Sequence, residues 1–322
     1  MDHKIMELEH VKGNTYVLKS WLCVPLYKVS ETTCILLDTA LPAQRGDLQR
    51  ILDEHGLTCV GVINSHAHLD HAGNNRYFQE EYGAEIAMSL GEAGVQASVM
   101  GLCLHALNSP GQLAQDSRLA GTECVADRII MPQEETVTVA GVTFDIIHTP
   151  GHSLDHICVR TPDNVLYLGD AMMAGPELFK AKFPYVLSIN DYFESMCRLR
   201  ETPADFYIAA HFGVYNEIRP FADMAIRHLA QRMMEILDLV TEPMILGQVT
   251  SQICRAYQAK APSVMDLTYY YRATRAFLFY LLDRGELESF IQDNQIYYRR
   301  SQAAIERAAR PMDLLPRTGI FR

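Results

Sequence analysis

The chain has 322 residues, of which 48% are hydrophobic and 21% charged, a composition typical of a globular protein and unlike that of a disordered one. No apolar run reaches the ~18–20 residues of a membrane span, and the opening MDHKIMELEHVKGN lacks the apolar core of a secretory signal. Residues 1–214 carry 14 Lys and Arg against 27 Asp and Glu, whereas residues 215–322 carry 14 against 12. Neither region is basic enough to predict a large nucleic-acid footprint.

The cysteines are scattered along the chain and form no CxxC pair. This pattern predicts reduced thiols, used as small core residues, in a cytoplasmic protein. The eight are Cys23, Cys34, Cys59, Cys103, Cys124, Cys158, Cys197 and Cys254.

The first predicted elements are short strands, because residues 1–40 are rich in Val, Leu, Tyr and Thr. The apolar run Cys34–Leu37 predicts a buried central strand that ends at Asp38. Residues 42–56 predict a helix, and TCVGVIN at 58–64 predicts another buried strand that leads into a polar loop. Such a loop after a strand is where α/β proteins place their functional sites.

The middle of the chain continues this alternation. Residues 73–83 predict a helix, and residues 89–128 are helix-like and suggest an insertion over one face. Strands resume after it, followed by a helix and a further strand. They are predicted at 135–140, 142–148, 156–161 and 165–170, with the helix at 191–201 and the last strand at 206–211.

The character of the sequence changes after Tyr215. Helical periodicity is predicted for residues 220–240, 245–258 and 269–285, and two short strands around a turn follow at 286–300. This order of elements, helices followed by a β-hairpin, resembles that of winged-helix domains. We therefore expect a first domain over 1–215 and a helical, winged-helix-like domain over 216–322.

The segment SHAHLDHAG, at 65–73, crowds three histidines and one aspartate into six positions. On extended backbone His66 and His68 project the same way, and His71 follows on the next turn with Asp70 beside it. Imidazole nitrogens and carboxylate oxygens are the ligands that borderline divalent cations favour. A catalytic metal needs three protein ligands and one open position, so four candidates are enough to begin two sites.

Three further polar residues each end an apolar predicted strand or lie in the loop after it. They are His152, Asp170 and His211. Each has an ordinary explanation when taken singly, as a turn, a helix cap or a hydrogen-bonded histidine. Their joint occurrence with SHAHLDHAG predicts a metal site.

These ordered motifs, HAHLDH at 66–71, GH at 151–152, GD at 169–170 and His211, resemble those of the metallo-β-lactamase superfamily over residues ~10–215. The resemblance implies an α/β fold, the αββα sandwich of two packed mixed sheets with helices outside, here followed by the helical C-terminal domain. It also implies two metal sites bridged by Asp170, one made by His66, His68 and His152 and the other by Asp70, His71 and His211.

The resemblance extends to residues behind the ligands. Asp38 matches an aspartate that ends the first buried strand and orients a ligating histidine. His156, in GHSLDH, matches a second histidine of that segment, and Asp155 stands where Gly is more usual. We expect His156 and Asp155 to belong to a local hydrogen-bond network. Ala40 also replaces a Gly that is usual in the family.

Two cations that share a water lower its pKa to roughly 7, against roughly 15.7 for free water. The implied protein is a dinuclear hydrolase that uses a metal-bridging hydroxide on a small carboxylic ester, thioester or lactone. Asp70 would orient the nucleophile or carry its proton onward. Zinc is the default for a histidine-rich site, and iron or manganese also fits the set. The mostly apolar ATRAFLFYLLDRG favours packing against a second subunit, so a homodimer is expected.

Other functions stay open within the same superfamily. Lactonases often carry Tyr three residues after the bridging aspartate, where this chain has Met173. Glyoxalase II-like thioesterases share the ligands and a helical C-terminal domain. A winged-helix-bearing branch is similar at GHSLDH and FLFYLLDRGELE, and some members cleave single-stranded RNA. TYYYRATRAF could stack on bases.

The alternatives are therefore a metal-dependent phosphodiesterase or single-strand endoribonuclease, and a non-enzymatic metal-binding sensor or regulator. The presence of all seven expected metal ligands disfavours the sensor. The acidic first region disfavours a nucleic-acid partner. No membrane partner is expected.

Overall fold

The computed structural model of the chain describes residues 6–107, 119–172, 183–306 and 310–316. The chain divides into two compact units. The first unit comprises Met1–Met173 and Thr202–Ile218, and the second comprises Ala174–Glu201 and Arg219–Arg322. Both units are therefore discontinuous in sequence.

The first sheet has seven strands that lie side by side in chain order. Strands β1 to β4 pair antiparallel as hairpins, and β4 to β7 pair parallel. The carboxyl ends of β4, β5 and β6 therefore lie at one edge of the sheet. The strands are β1 Glu7–Lys12, β2 Thr15–Lys19, β3 Cys23–Lys28, β4 Thr33–Leu37, β5 Thr58–Ile63, β6 Glu85–Ser89 and β7 Arg128–Ile130.

The second sheet has six strands in the order β13-β12-β11-β10-β9-β8. β11 and β12 are parallel, and the other neighbours are antiparallel. Consequently β9, β11 and β12 run the same way, and their carboxyl ends share an edge. The strands are β8 Thr136–Val139, β9 Val142–His148, β10 Ile157–Arg160, β11 Val165–Gly169, β12 Phe206–Ala209 and β13 Gly213–Tyr215.

One hydrophobic core joins the two sheets. Leu36 and Val62 of the first sheet and Val159 of the second belong to the same buried cluster. Tyr27 and Phe144 meet across it in an edge-on contact, with ring centroids 5.5 Å apart. Because each sheet buries one face against the other, the predicted two-sheet α/β architecture is confirmed.

The helices of the first unit follow the strands. They are α1 Arg45–Glu54, α2 Leu69–Ala72, α3 Asn75–Tyr82, α4 Leu90–Gln96 and α5 Val99–Leu107, and a short 3-10 helix Pro42–Gln44 precedes α1. α3 ends at Gly83, whose φ of 64° is the left-handed conformation that closes many helices. The helix-like insertion expected over 89–128 contains α4 and α5, and its residues 108–118 lie outside the described part. The strand β6 just before it was not predicted.

The second unit contains most of the remaining helices and a three-stranded antiparallel sheet of order β14-β16-β15. The helical C-terminal region is thus confirmed, and its winged-helix relationship stays a prediction. The elements are α6 Ile189–Glu201, α7 Arg219–Leu239, β14 Met244–Ile245, α8 Leu246–Ala256, α9 Val264–Asp283, β15 Leu287–Gln292, β16 Gln295–Arg300, α10 Gln302–Glu306 and a short 3-10 helix Pro311–Leu314.

The units differ from the predicted domains 1–215 and 216–322 in two places, a short one at residues 216–218, which lie in the first unit, and a longer one. Ala174–Glu201 precedes the predicted boundary but belongs to the second unit. Its helix α6 buries Phe193, Met196 and Leu199, and its Arg200 forms an ion pair with Asp223 of α7 at 2.6 Å. The composition of the sequence does not change where the chain passes from one unit to the other. Helical periodicity alone therefore cannot show to which unit α6 belongs.

Two predictions about the chain as a whole can be compared with the described residues. All eight cysteines lie among them, none forms a disulfide, and seven are buried, as expected of core thiols. No helix in the described ranges is both long and apolar enough to cross a membrane.

Candidate metal centre

Two sheet edges meet at the candidate site. From the first sheet come Asp38, which follows β4, and the loop 64–71, which follows β5. From the second sheet come the loop 149–156 after β9, Asp170 after β11 and His211 after β12. The structure brings all seven predicted ligand residues together, in three overlapping groups whose ligand atoms lie within 4.8 Å of one another.

The first group consists of His66, His68 and His152. The Nδ1 atom of His68 lies 2.8 Å from His66 Nε2 and 3.0 Å from His152 Nε2. Burial and the neighbouring imidazoles lower the pKa of His66 and of His68 well below the usual value, and burial also lowers the pKa of His152. The facing nitrogens of three imidazoles, each with a lowered pKa, therefore converge on one point, as the ligands of a cation site do.

The second group consists of Asp70, His71 and His211. Asp70 Oδ2 lies 3.5 Å from His211 Nε2 and 3.7 Å from His71 Nε2. The Nε2 atom of His71 is buried and makes no hydrogen bond to the described residues. Its contacts are the long ion-pair distances to Asp70 and, at 3.5 Å, to Asp170, and a cation bound between these groups would satisfy it better.

Asp170 lies between the two groups. Its Oδ2 is 3.4 Å from His152 Nε2 and 3.5 Å from His71 Nε2, and its Oδ1 is 3.4 Å from His211 Nε2. Burial opposes its charge, but His211 and His71 lower its pKa well below the usual value. One ionised carboxylate thus faces donors from both groups, the arrangement that a bridging ligand requires.

Asp38 contacts His71 at Nδ1, the ring nitrogen that does not face Asp70 and Asp170. Its Oδ2 lies 2.7 Å from His71 Nδ1, and it accepts hydrogen bonds from the Ser65 hydroxyl at 2.7 Å and the Tyr167 hydroxyl at 2.6 Å. Its Oδ1 accepts the Ser65 N–H at 2.7 Å. Because His71 Nδ1 donates to this carboxylate, Nε2 is left to face Asp70 and Asp170, which is the orienting contact expected of Asp38.

His156 holds the backbone of Asp170. Its Nε2 accepts the Asp170 N–H at 3.1 Å, and its Nδ1 lies 2.8 Å from the Thr149 hydroxyl. Burial lowers the pKa of His156 well below the usual value, so the ring is neutral and carries its proton on Nδ1. Gly169 allows this approach, because a Cβ there would lie 2.6 Å from His156 Nε2.

Sequence reasoning missed two residues that contact the ligands. His105 of α5 places its Nε2 3.3 Å from His68 Nε2, and no pattern distinguished it from other helix-like positions. Trp21, between β2 and β3, stacks on His211 with ring centroids 5.1 Å apart although it is 47% exposed. The signal that the sequence offered was that Trp21 is the chain's one tryptophan. Met173, which weighed against a lactonase, lies outside the described residues.

A third missed residue is Glu92 of α4, whose carboxylate is fully buried beside the first group. Burial raises its pKa, although hydrogen bonds from Asp155, Ser153 and Ala67 oppose that shift. No Lys or Arg in the described ranges forms an ion pair with it. Its position after a strand parallel to β4 and β5 places it at the same sheet edge as the ligands.

Comparisons with known proteins point to one family. The model of the metallo-beta-lactamase superfamily matches residues 13–211. A hydroxyacylglutathione hydrolase of a Synechococcus species is 26% identical over 188 residues, covering 55% of this chain and 60% of the relative. A lactamase-like protein of Arthroderma gypseum is 24% identical over 217 residues, covering 66% of this chain and 58% of the relative. The chain thus spans about three fifths of the length of these relatives.

A solved structure supports the same fold. The beta-lactamase domain protein from Burkholderia ambifaria superposes with a TM-score of 0.70 at 20% identity, covering 92% of this chain and 94% of that one. The family match covers more than half of the chain and contains all seven residues of the three ligand groups. The chain belongs to the metallo-beta-lactamase superfamily.

Proposed function

We propose that the protein is a dinuclear metal-dependent hydrolase of a small carboxylic ester, thioester or lactone. The observation that carries this proposal is the convergence of seven buried or half-buried donors into two three-residue groups on either side of Asp170. Thioesters come first among the substrates, because the name hydroxyacylglutathione hydrolase describes removal of an acyl group carried on glutathione.

The donor set fits two divalent cations: His66, His68 and His152 would hold one, Asp70, His71 and His211 would hold the other, and Asp170 would contribute to both. Zinc suits so many imidazoles, and iron or manganese suits the added carboxylates. When bound, such cations lower the pKa of a shared water to roughly 7 and polarise the substrate carbonyl.

The protein's own residues prepare this chemistry. Asp170 supplies a negative charge that offsets cation repulsion. Asp38 fixes the ring of His71 so that its Nε2 faces the site. Burial lowers the pKa of each imidazole of the first group, which favours the neutral ring that a cation requires as a ligand.

Asp70 is the residue that we assign to proton movement. Its side chain is 27% exposed, against 16% for that of Asp170. Burial opposes ionisation, but His71 and His211 lower the pKa of Asp70 below the usual value. An ionised carboxylate at the more open side can accept a proton from the attacking water and pass it to the leaving group or to solvent.

The first experiment measures metal by elemental analysis after expression with zinc, iron or manganese. We expect about two equivalents per chain, in line with the two three-residue groups. Less than one equivalent in every case, together with no activity on any ester, would reject the proposal.

The second experiment screens a nitrophenyl ester, a thioester, a homoserine lactone, bis-nitrophenyl phosphate and single-stranded RNA. Each substrate is tested with the parent protein, with His68→Ala and with His228→Ala, a histidine of the second unit. Thioester turnover lost only in His68→Ala supports the proposal. RNA cleavage lost in the same variant would favour the endoribonuclease instead, and tight metal binding without any turnover would favour the sensor.

A further inference from the structure

Glu92 joins the two loops that carry the first ligand group. Its Oε2 accepts the Ala67 N–H at 2.8 Å. Its Oε1 accepts the Ser153 hydroxyl at 2.7 Å and the Asp155 N–H at 2.8 Å. The carboxylate is fully buried, and charge-assisted hydrogen bonds of this kind are stronger than neutral ones.

The donors to Glu92 alternate with the ligands in the chain. Ala67 lies between His66 and His68, and Ser153 follows His152. All three imidazoles of the first group are therefore one peptide unit away from an atom that Glu92 holds. The loop from β5 and the loop from β9 belong to different sheets, so their separation depends on what lies between them.

The start of the helix that carries Glu92 also donates hydrogen bonds to the loop after β9, at Asp155. The Gly91 N–H donates to Asp155 Oδ2 at 3.0 Å, and the Ser89 hydroxyl donates to the Asp155 carbonyl. A Cβ on Gly91 would lie 2.7 Å from the Cβ of Asp155, so glycine permits this contact. Glu92 takes the Asp155 N–H while Asp155 takes the Gly91 N–H, which makes the link reciprocal and rigid.

We propose that Glu92 is a positioning residue that sets the spacing of His66, His68 and His152 for the first metal. This inference rests on the ligand groups of the proposed function. The second group has its own direct support in Asp38, which contacts His71 and reaches the first group only through the Ser65 hydroxyl, 3.0 Å from His66 Nδ1. Loss of Glu92 should therefore weaken one of the two metal equivalents and leave the other.

The test compares the parent chain with Glu92→Gln. Glutamine keeps the size of the side chain but offers one acceptor oxygen and one NH₂ group, which would face either the Ala67 N–H or the Asp155 N–H. Metal-free protein is titrated with Co²⁺ and with Zn²⁺ against a competing chelator, and Co²⁺ absorption reports the coordination of each equivalent. We expect one equivalent to bind about 10- to 100-fold more weakly, with its Co²⁺ bands altered, and the other to be unchanged.

Glu134→Gln is the matched control. Glu134 also accepts a backbone N–H, from Met131 at 2.7 Å, and its carboxylate belongs to none of the three ligand groups. Glu134→Gln should bind both metal equivalents like the parent. The thermal midpoint of metal-free Glu92→Gln, compared with those of the metal-free parent and control, shows whether Glu92→Gln is folded.

The outcomes separate the inference from the proposed function. Parent-like binding of both equivalents by Glu92→Gln, or equal weakening of both, would overturn the positioning role while leaving the two-metal site intact. A parent chain that binds no metal would overturn both. If Glu92→Gln does not fold, Ser153→Ala decides, because it removes a single donor to Glu92. Weakening of one equivalent by Ser153→Ala supports the inference, and unchanged binding refutes it.

Discussion

The two units differ in what they bury. In the first, the described residues around the site include a dense set of fully buried polar side chains, namely Asp38, Thr39, Asn64, Ser65, His66, His71, Asn74, Asn75, Glu92 and His156. In the second, helices α7 and α9 bury mainly apolar groups such as Met233, Phe277 and Leu278. Burial of polar groups costs free energy unless each finds a partner. The first unit therefore needs a hydrogen-bond partner for each of these buried groups.

The polar interior of the first unit is well partnered. The Thr39 hydroxyl donates to Asn75 Oδ1 at 2.8 Å, and Asn75 Nδ2 donates to Asn64 Oδ1 at 2.8 Å. Against this background the Nε2 of His71 stands out, because it makes no hydrogen bond and faces only the carboxylates of Asp70 and Asp170, at 3.7 and 3.5 Å. The contrast teaches that the first unit is organised to hold side chains in place, whereas the second is organised to pack.

The largest expected effect tests whether function resides in the first unit. His68→Ala and Asp170→Asn should each lower turnover by roughly 100-fold or more, since even residues behind metal ligands cost 10- to 100-fold. Steady-state rates on the best substrate of the panel measure this, with circular dichroism as the check of folding. His228→Ala, in the second unit, should keep the parent rate. Unchanged rates in both site variants would contradict the assignment.

The next effect tests whether stability resides in the packing of the second unit. Phe277 is fully buried and contacts Phe183, with ring centroids 5.2 Å apart. Phe277→Ala should destabilise that unit by about 3–5 kcal/mol through the cavity that it leaves. Urea unfolding followed by circular dichroism measures it. Phe279, which is 50% exposed on the same helix, is the control, and an equal loss in Phe279→Ala would refute the packing explanation.

A smaller effect tests the support behind the ligands. Asp38→Asn keeps the shape of the side chain but removes the charge that accepts from His71, Ser65 and Tyr167. We expect about 10- to 100-fold weaker binding of one metal equivalent, measured by chelator competition. The affected equivalent should differ from the one that Glu92→Gln affects. Identical Co²⁺ spectra for the two variants would argue against separate supports.

The smallest expected effect is a pH dependence of the stability of the second unit. Burial and Arg232 lower the pKa of His228 to about 4, and Arg232 Nε donates to its Nε2 at 3.3 Å. The folded-state pKa lies below the unfolded value of roughly 6.5. The stability from neutral His228 is therefore complete above pH ~6.5 and is lost as pH falls toward ~4.

His228→Gln cannot take up this proton. Its free energy of unfolding, measured by urea titration, should fall less between pH 7 and pH 5 than that of the parent, by less than about 1 kcal/mol because the side chain is partly exposed. Equal shifts in the two proteins would show that His228 does not contribute.

The sequence predicted which residues gather at the candidate site better than it predicted which residues hold them there. His66, Asp170 and His211 could be found because each polar residue interrupts an apolar run at the end of a strand, and strand ends in such folds meet at one edge. Grouping them by metal needed the resemblance to a family, since contacts between strands far apart in sequence leave no local signal.

The remaining features were hidden for physical reasons. Glu92 lies in a helix-like segment where a glutamate is ordinarily a solvated residue, so its burial was not predictable from its neighbours. The strand β6 was missed because AEIAMS is short and has a single β-branched residue, Ile86, among residues that do not favour strands. The segment Ala174–Glu201 crosses to the second unit by packing of α6, which periodicity describes as a helix but does not assign to a unit.

The stack of Trp21 on His211 gives the protein an optical property. Trp21 is the chain's one tryptophan, and its ring lies at 25° to the imidazole of a second-group ligand. A charge that arrives at that imidazole alters the emission of the indole against it. Unlabelled protein in a stopped-flow fluorimeter should therefore report, in real time, when the second group fills and when it empties.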